Sequence, residues 1–434
     1  MAKTKVLYVL HNHPTLFPGG AEVYALELFE ALRGSDEIEP LLLARITRTS
    51  LPAGNRPGTP FLTIDGEPDQ YFLFTESEPV YNYLFGTSND KSLYTTYFPE
   101  FLEAHKPDVV HFQHTLHMGY DLVSTTRRVL PQAAIVYTLH EYLPICHRQG
   151  QMLRTAAANE ELCTHASPRR CSECFPAIPS GQFYLRERFI KAHLGHVDLF
   201  IAPSHFLLER YVNWGIPPER IVFEDYGRVP SVTLAEPDGD RPRNRFGYFG
   251  QFNPYKGVET LLKAMASFRD RRPDIQLRLH GANLEQQTPE FQERFAKLLE
   301  ETEANVTMIG TYEPNELPWL MSEIDWAVVS SRWWENSPLV IQEAFMQRRP
   351  VICGGIGGMA EKVTDEVNGL HFRVGDADSM AAAIERAATE EGLWARLREG
   401  IPDILTVDEH IENLTRMYHG ILDSRRVRVA ALAS

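Results

Sequence analysis

Two acidic residues, Glu335 and Glu343, lie eight positions apart, and their carboxylates can accept hydrogen bonds from the hydroxyl groups of a ligand. They follow an apolar strand predicted over Asp325 to Ser330, and the run Gln347 to Pro350 ends the helix that comes next. Glu335 is therefore expected in the turn from strand to helix. Glu343 is expected inside the helix, on the same face as Leu339.

The start of this helix is a place where an anion can bind. Pro338 suits the first turn, where its missing N–H is not needed. The free N–H groups and partial positive charge of a helix N-terminus attract groups such as a diphosphate. Carboxylates touching that anion would repel it, so Glu335 and Glu343 are better suited to accept hydrogen bonds from the hydroxyls of a sugar and a ribose.

A glutamate in a helix is more often a solvated surface residue than a ligand contact. For Glu343 this alternative is weakened by its neighbours, which are apolar on nearly all sides: Val340, Ile341, Ala344 and Phe345. A helix with these residues has little room for a freely solvated face.

The two glutamates belong to a longer pattern. Seven residues separate Glu335 from Glu343, and Pro350-Val351-Ile352 and the run Gly354 to Glu361 follow. The pattern resembles the signature of the large family of retaining glycosyltransferases of the group 1 or family 4 type. The resemblance is strongest over Phe246 to Phe372. It implies the GT-B architecture, an α/β fold of two Rossmann-like, doubly wound domains that face each other across a cleft.

The resemblance also implies how a donor, a UDP- or GDP-linked sugar, would be bound. Glu343 would hold the ribose diol, and Glu335 would lie against the donor sugar and the transferred charge. His140 and Lys256 join Glu335 as the residues expected to act in catalysis. The residues expected to bind the donor are Gly19, Gly20, Gln251, Lys256, Asn336, Ser337, Leu339, Val340 and Glu343.

Residues at the ends of two predicted N-terminal strands fit this assignment. The strand Val6 to Leu10 leads into a loop with Gly19 and Gly20, where backbone can approach a ligand closely, although a glycine pair alone is more often a simple turn. The strand Ala134 to Leu139 ends at His140, and open α/β sheets bind ligands outside the carboxyl ends of their strands. A histidine near neutral charge suits a position beside a hydroxyl or a phosphate.

Lys256 lies at a predicted turn from strand to helix, where it can neutralise diphosphate oxygens as a point charge. As an isolated surface lysine it would carry no function. The family usually has arginine five positions earlier, where this chain has Gln251, so one cation is missing. The diphosphate charge must then be met by Lys256, by the N-terminus of the helix after Glu335, and by a further cation such as Arg228 or Arg332.

Four of the five cysteines are close together in the sequence: Cys146, Cys163, Cys171 and Cys174. Clustered thiols in a cytosolic chain of this size favour a metal over disulfides. The two-residue spacing of Cys171 and Cys174 allows a turn to place two sulfurs on one tetrahedral ion. We expect a structural zinc site, with plain reduced thiols, a redox pair and an iron–sulfur cluster as alternatives.

Other candidate metal ligands are weaker. His147 and His165 lie in the same segment as the cysteines and are reserve ligands. His111, His114 and His117 have a regular spacing but straddle a strand end, so they are not expected to bind a metal.

Composition limits the partners of the chain. The 434 residues fit two domains, and the formal net charge of -15 argues against nucleic acid, whose binding needs clustered lysine and arginine. No apolar run reaches the roughly 18 residues of a spanning helix, and the run that begins at Val6 stops at His11. We therefore expect a cytoplasmic protein. Basic and aromatic side chains on a helix over Gln182 to Leu194 leave contact with the inner face of a membrane open.

The predicted organisation has two domains and a hinge. Residues 1–230 form a Rossmann-like acceptor domain, with an aromatic insert at 47–98 and a cysteine-rich segment at 144–179. Residues 231–245 form the hinge, and residues 246–405 a Rossmann-like nucleotide-sugar domain. By the resemblance, residues 406–434 form a helix that crosses back to the first domain. The aromatic side chains of the insert are expected to pack the insert itself rather than bind an acceptor or a partner.

These observations predict a retaining glycosyltransferase that moves a sugar from a nucleotide-diphosphate sugar to a glycan, lipid-linked or small-molecule acceptor, in polysaccharide or glycoconjugate biosynthesis. No catalytic metal is expected. A metal-dependent transferase would need an Asp-x-Asp pair at the end of an apolar strand, which neither Asp238-Gly239-Asp240 nor Asp376-Ala377-Asp378 provides. A nucleotide-sugar epimerase and a non-catalytic, zinc-stabilised sugar-binding protein on the same scaffold remain alternatives. The base, sugar, acceptor, linkage and oligomeric state are left open.

Overall fold

The structure is a computed structural model of the chain. It describes residues 3–16, 19–47, 50, 59–64, 66–75, 80–154, 161–232 and 241–433. The chain divides into two compact units, which we call the first unit, Met1–Val229 with Leu405–Ser434, and the second unit, Pro230–Ile404. The Asp238-Gly239-Asp240 triplet of the predicted hinge lies outside the described residues.

The first unit is built on an eight-stranded sheet. Its strands, together with those of two small pairs, are β1 (Thr4–Leu10), β2 (Ile38–Ile46), β3 (Phe61–Ile64), β4 (Glu67–Phe74), β5 (Tyr81–Asn82), β6 (Thr87–Ser88), β7 (Val109–Phe112), β8 (Ala134–Thr138), β9 (Leu153–Arg154), β10 (Glu161–Leu162), β11 (Leu199–Ala202) and β12 (Ile221–Phe223). The order in the large sheet is β12-β11-β8-β7-β1-β2-β4-β3. All its pairs are parallel except β3 with β4. The central strand β1 is continuously apolar and buried, as expected for a parallel strand covered on both faces.

Six helices of the first unit alternate with these strands: α1 (Gly20–Leu32), α2 (Phe98–His105), α3 (Asp121–Val129), α4 (Pro168–Cys174), α5 (Ser180–Leu194) and α6 (His205–Trp214). In α1 an apolar stripe that includes Tyr24, Ala25 and Leu28 is buried. The helix α6 begins after Ser204, whose side chain accepts a hydrogen bond from the N–H of Leu207. Because β1, β7 and β8 are parallel neighbours, their carboxyl ends lie beside one another at one edge of the sheet.

The region predicted as an aromatic insert contributes two strands to the main sheet. Strand β4 pairs parallel with β2 and antiparallel with β3, with which it forms a hairpin around Gly66. Its other turn residue, Asp65, lies outside the described residues. Several aromatic side chains of the region are buried, as expected if they pack the region itself: Tyr81, Tyr94 and Phe98.

The second unit contains a six-stranded parallel sheet. Its strands are β13 (Arg245–Phe249), β14 (Gln276–His280), β15 (Val306–Gly310), β16 (Trp326–Val329), β17 (Val351–Gly354) and β18 (Gly369–Phe372). They are arranged in the order β15-β14-β13-β16-β17-β18. Its helices are α7 (Val258–Ala266), α8 (Pro289–Glu301), α9 (Leu317–Ser322), α10 (Leu339–Met346), α11 (Gly357–Lys362), α12 (Ala377–Thr389) and α13 (Leu393–Glu399). Alternation of strands and helices produces a parallel sheet with an apolar core on each face.

The helix α14 (Val407–Ala433) belongs to the first unit. The hydroxyl of Tyr418 lies 2.9 Å from the hydroxyl of Tyr8 and 2.7 Å from Nδ1 of His111. About two turns earlier in α14, His410 Nε2 lies 2.7 Å from the hydroxyl of Tyr24. These hydroxyls and imidazoles are buried away from water, so the polar groups of α14 and those of the sheet and α1 must bond to each other. In the described parts of the chain, no helix is both long and apolar enough to cross a membrane.

Candidate functional site

Glu335 is the centre of a hydrogen-bonded cluster in the second unit. Its Oε1 atom accepts hydrogen bonds from Ser331 Oγ at 2.6 Å, Trp333 Nε1 at 2.7 Å and Lys256 Nζ at 2.7 Å. The side chain is buried. Burial alone would raise the pKa of this carboxyl, but the Lys256 charge and the three hydrogen bonds lower the pKa below its usual value. Glu335 is therefore an ionised carboxylate held in one position.

A tight turn brings Lys256 to this carboxylate. The Asn253 side chain caps the 3-10 turn Pro254–Lys256 by accepting hydrogen bonds from the N–H groups of Tyr255 and Lys256. Gly257 has a φ of 70°, and a Cβ there would lie 2.0 Å from the carbonyl oxygen of Ser330. Only glycine allows this approach, which joins the start of α7 to the end of β16.

The glycine-rich run after β17 has a physical role beside Glu335. A Cβ at Gly358 would lie 1.5 Å from the carbonyl oxygen of Asn336, and the Gly358 N–H donates to the carbonyl oxygen of Glu335 at 2.9 Å. The backbone of α11 thus supports the turn that carries Glu335. In the sequence, these glycines were notable only as part of the pattern that resembles the family.

The remaining predicted donor residues of the second unit lie on or near the start of α10. Asn336 and Ser337 are buried, and Leu339, Val340 and Glu343 are half-buried. Pro338 is the N-cap residue of the helix, one position earlier than the first helical turn. Glu343 lies close enough to Tyr312 for its charge to raise the pKa of that phenol further above the value that burial produces.

Two further predicted groups flank the cluster. Gln251 is exposed on the loop after β13, where its Oε1 accepts from Asn253 Nδ2 at 3.3 Å, so it borders the Lys256 turn. The N–H of Arg332 donates to the carbonyl oxygen of Tyr255 at 2.8 Å. Arg228 belongs to the first unit, where it pairs with Glu27 at 3.2 Å.

An aromatic cluster that the sequence did not indicate lies at the carboxyl ends of β13 and β14. The rings of Phe249 and His280 are stacked with centroids 4.5 Å apart, and Tyr312 meets the Phe249 ring edge-on at 5.7 Å. A Cβ at Gly281 would lie 2.0 Å from the carbonyl oxygen of Gly250, so the two strand ends are in close contact. Burial, with help from Arg278, lowers the pKa of His280 to about 4. The cluster is uncharged near neutral pH.

In the first unit, His140 lies at the end of β8 and uses both ring nitrogens. Its Nε2 is 2.9 Å from Gln113 Oε1, and its Nδ1 is 2.6 Å from the Tyr226 hydroxyl. Desolvation and the nearby His114 and His111 hold the pKa of His140 well below its usual value. The ring is therefore neutral, with Nε2 donating to Gln113 and Nδ1 accepting from Tyr226.

A second group of titratable side chains lies nearby in the first unit and was missed from the sequence. His11 Nε2 is 3.1 Å from Glu22 Oε1, and His114 Nε2 is 3.2 Å from Glu141 Oε1. The rings of His11 and His114 are 4.2 Å apart. Burial raises the pKa of Glu22 and lowers the pKa of His11, so it disfavours the charged form of both side chains. The usable signal was that His11 and Glu141 each follow an apolar strand.

The predicted glycine pair lies beside this group. Gly19 is the N-cap residue of α1, and a Cβ there would lie 2.4 Å from Glu22 Oε2. Glycine thus leaves room for the Glu22 carboxylate at the helix N-terminus. Gly20 is exposed at the first position of the helix. A carboxylate at this point favours ligand hydroxyls over a diphosphate.

The structure does not contain a formed metal centre at the predicted cysteines. All five cysteines are described and none is in a disulfide, with Cys146, Cys163, Cys171 and Cys174 half-buried. Among the described residues, no group of three or more His, Cys, Asp and Glu side chains has the arrangement of a metal site. The pair Asp376 and Asp378 lies at the start of α12, where Asp376 caps the helix by accepting from Ser379 N–H.

The helix whose basic and aromatic side chains left membrane contact open is α5, and one of its basic residues packs inside the first unit instead. Arg186 is buried and donates to the carbonyl oxygens of Leu143 and Pro144, because its long side chain reaches across to the loop after β8. The exposed face of α5 carries other residues: Tyr184, Leu185 and Arg188.

Comparison with known families agrees with this geometry in both units. The model of the family 4 glycosyltransferases matches residues 18–223, and the model of the glycosyl transferases group 1 matches residues 236–402. The chain belongs to the group 1 glycosyltransferases. The second match contains Lys256, Glu335 and Glu343, and the first contains Gly19 and His140.

Two curated members of this glycosyltransferase family show how distant the relatives are. A lipopolysaccharide 1,2-N-acetylglucosaminetransferase of Salmonella typhimurium is 26% identical over 202 residues, which are 44% of this chain and 53% of that protein. The lipopolysaccharide core biosynthesis glycosyltransferase LpsE of Rhizobium meliloti is 27% identical over 241 residues, 54% of this chain and 66% of that protein. The matches thus span about half to two thirds of these relatives.

Solved glycosyltransferase structures share the fold. A sucrose-phosphate synthase of Thermosynechococcus elongatus is 20% identical, covers 97% of this chain and 100% of that one, and has a TM-score of 0.67. Anabaena HepE in complex with UDP and glucose is 15% identical over 96% of this chain and 100% of that one, with a TM-score of 0.66. These similarities confirm the predicted fold class, two Rossmann-like α/β domains of GT-B type.

Proposed function

We propose that this chain is a retaining glycosyltransferase that transfers a sugar from a nucleotide-diphosphate sugar to a glycan, lipid-linked or small-molecule acceptor. The observation that carries the proposal is the Glu335 carboxylate. Its Oε1 accepts three hydrogen bonds, one of them from the Lys256 ammonium. In the transition state of such a transfer, positive charge develops at the sugar carbon and negative charge at the phosphate. A fixed carboxylate stabilises the first charge, and a cation near the start of a helix stabilises the second.

In this proposal the second unit binds the donor. Lys256 and the backbone N–H groups at the start of α10 neutralise the diphosphate, supplemented by Arg332, since Gln251 supplies no charge. Glu343 accepts hydrogen bonds from the ribose hydroxyls. Tyr312, which lies near Glu343, and the rings stacked behind it provide a flat apolar surface for the base.

The proposed reaction takes place on one face of the sugar. The acceptor hydroxyl attacks the anomeric carbon on the side from which the diphosphate departs. The new C–O bond forms as the C–O bond to phosphate breaks, and the hydroxyl proton passes to a departing phosphate oxygen. The configuration at the anomeric carbon is retained. This route needs no metal for the chemical step, and its catalysis consists of positioning and charge stabilisation.

The first unit supplies groups that bind hydroxyls. His140 is neutral, and exchange of one of its bonds to Gln113 or Tyr226 for a bond to the transferred sugar would orient that sugar. The His11, Glu22 and His114 side chains offer donors and acceptors with little net charge. Gly19 and Gly20 keep the start of α1 open to a ligand.

The comparisons favour certain substrates within this class. Two relatives act in lipopolysaccharide synthesis by their names, and HepE was solved with UDP and glucose. We therefore favour a UDP-sugar donor and a glycan or lipid-linked saccharide acceptor, used in the cytoplasm near the inner face of a membrane. The exposed Tyr184, Leu185 and Arg188 of α5 suit such peripheral contact.

Ligand screening tests the proposal. Thermal unfolding is measured with UDP, GDP and their common sugars, because a ligand that binds the native state raises the melting temperature. Acceptors are then screened with the best donor, and the anomeric configuration of the product is read by NMR. A product of inverted configuration would overturn the retaining mechanism. Release of free or epimerised sugar without any acceptor would instead identify an epimerase.

A further inference from the structure

The cysteine segment of the first unit is not used by the proposed transfer reaction, yet its three parts are held together. Cys146 follows the loop after β8, Cys163 follows β10, and Cys171 and Cys174 lie on α4. The N–H of Cys163 donates to the carbonyl oxygen of Met152 at 2.7 Å, next to the pair of β9 and β10. The backbone N–H of Met152 in turn faces the Cys146 sulfur, which joins this strand pair to the loop of Cys146. We propose that these four cysteines hold one structural zinc ion through their sulfurs.

Further contacts bring α4 to the other two parts. Arg154 in β9 donates to Glu173 at 3.2 Å, between Cys171 and Cys174. The Arg148 guanidinium lies 5.0 Å from the centre of the Phe175 ring, which follows Cys174. Because Cys171 and Cys174 are three positions apart on a helix, both sulfurs lie on the same side of it. These contacts hold α4 against the strand pair and against the loop that contains Cys146.

The thiols lie within electrostatic reach of one another. Cys146 and Cys163 both act on Cys171 through their charges, and Cys174 acts on Cys163. Four thiolates placed in this way would repel one another strongly. A divalent cation removes that repulsion.

The surroundings of the four sulfurs are cationic, although the whole chain has a formal net charge of -15. Arg186 acts on Cys146 and Cys171, and Arg154 and Arg170 act on Cys163. Backbone N–H groups of Arg148 and Met152 face the Cys146 sulfur. One zinc ion with four thiolates has a net charge of about -2, which donors and cations of this kind stabilise.

The segment also has little apolar core to hold it. The described residues of α4 include no buried one, and the two-residue strands β9 and β10 bury only Leu153. A closed four-sulfur site would replace that missing core.

Metal analysis of the full-length protein, purified without chelators, tests this inference separately from any transferase activity. Plasma mass spectrometry is expected to find about one zinc per chain, released when a mercurial reagent blocks the thiols. The variant Cys171→Ser with Cys174→Ser is expected to lose it. Cys353→Ala, in the buried strand β17, is the matched control and is expected to keep it.

Cobalt substitution covers the case in which the double variant does not fold. The wild-type protein reconstituted with Co²⁺ is expected to show thiolate-to-cobalt charge-transfer absorption and the visible bands of a tetrahedral ion. Four freely reactive thiols with no bound metal would overturn the inference. So would disulfides between these cysteines found by mass spectrometry, or iron together with acid-labile sulfide.

Discussion

Lys256 Nζ lies 2.7 Å from Glu335 Oε1, although the two residues are 79 positions apart in the chain. Lys256 reaches this point because Gly257 lets the start of α7 approach the end of β16. Glu335 is held there by the turn that leads into α10. The ion pair thus joins two strand-to-helix turns of the second unit, which is where an open α/β sheet binds its ligand.

Glu335→Gln is expected to lower kcat by roughly 100-fold, because the amide cannot supply the charge that the transition state needs. Donor affinity should change much less, since Lys256 and the N-terminus of α10 remain. Steady-state kinetics and a donor titration separate the two effects. Glu300→Gln, on the exposed face of α8, is the control. A variant with normal kcat would remove Glu335 from the mechanism.

Glu343→Ala is expected to weaken nucleotide-sugar binding by roughly one to two decades, because a hydrogen bond to a charged group contributes about 1.5–3 kcal/mol. Calorimetric titration with the best nucleotide sugar measures this change. Glu300→Ala should bind like the wild type. Unchanged affinity in Glu343→Ala would contradict its role at the ribose.

Gly358→Ala is expected to destabilise the second unit by about 3 kcal/mol and to lower activity, because the new Cβ would collide with the carbonyl oxygen of Asn336. Thermal unfolding and a transfer assay measure the two effects. Gly420→Ala serves as the control, since no atom lies within 4 Å of a Cβ at that position of α14. An equal melting temperature for both variants would show that the turn can shift at no cost.

Acid is expected to destabilise the protein through His111. Burial lowers its pKa to about 3 from an ordinary value of 6.5, and it is bonded to Tyr418 and Thr138 as a neutral ring. The unfolded chain therefore binds a proton that the folded chain does not. The stability from the neutral ring is complete above pH 6.5 and falls by roughly 1 kcal/mol per pH unit below it.

Denaturant unfolding of His111→Asn between pH 7 and pH 4 isolates this effect. The variant should be less stable than the wild type at pH 7, and the difference should shrink as the pH falls. His196→Asn, an exposed site, should follow the wild-type curve. A difference that stays constant with pH would exclude His111 as the titrating group.

EDTA at a concentration that leaves the proposed cysteine-bound zinc in place is expected to leave transferase activity unchanged, because no carboxylate pair is needed to bridge a metal to the diphosphate. Asp378→Asn should likewise be as active as the wild type, since this residue lies at the start of a helix. Loss of activity in EDTA that added Mg²⁺ or Mn²⁺ restores would favour a metal-dependent reaction.

Local patterns predicted much of this structure. The strand, turn and helix around Glu335 follow from residues near one another in sequence, and so does the burial of the apolar stripe of α1. The three donors on Glu335 were not predictable together, because Lys256 arrives from a distant turn. The pairing of His11 with Glu22 depends in the same way on how a strand end meets the following helix.

Other features needed the three-dimensional structure for a different reason. The runs Phe61 to Ile64 and Gln70 to Phe74 on either side of Asp65-Gly66 have the pattern of a hairpin. This local pattern does not reveal which strand of the main sheet a hairpin joins, so the parallel pairing of β4 with β2 required the structure. The sequence left the basic residues of α5, Arg186 among them, open between membrane contact and packing, because arginine is usually exposed. Arg186 is buried because two backbone carbonyl groups satisfy its guanidinium.

The return of α14 to the first unit has a consequence for how the protein is made. During synthesis, the sheet that begins at β1 emerges from the ribosome long before the helix that covers Tyr8 and His111. The second unit is a continuous stretch and can fold in the interval. A chain that ends before residue 405 would thus contain the whole second unit, but a first unit in which Tyr8 and His111 lack the partner that Tyr418 provides, which makes it a target for chaperones and proteases.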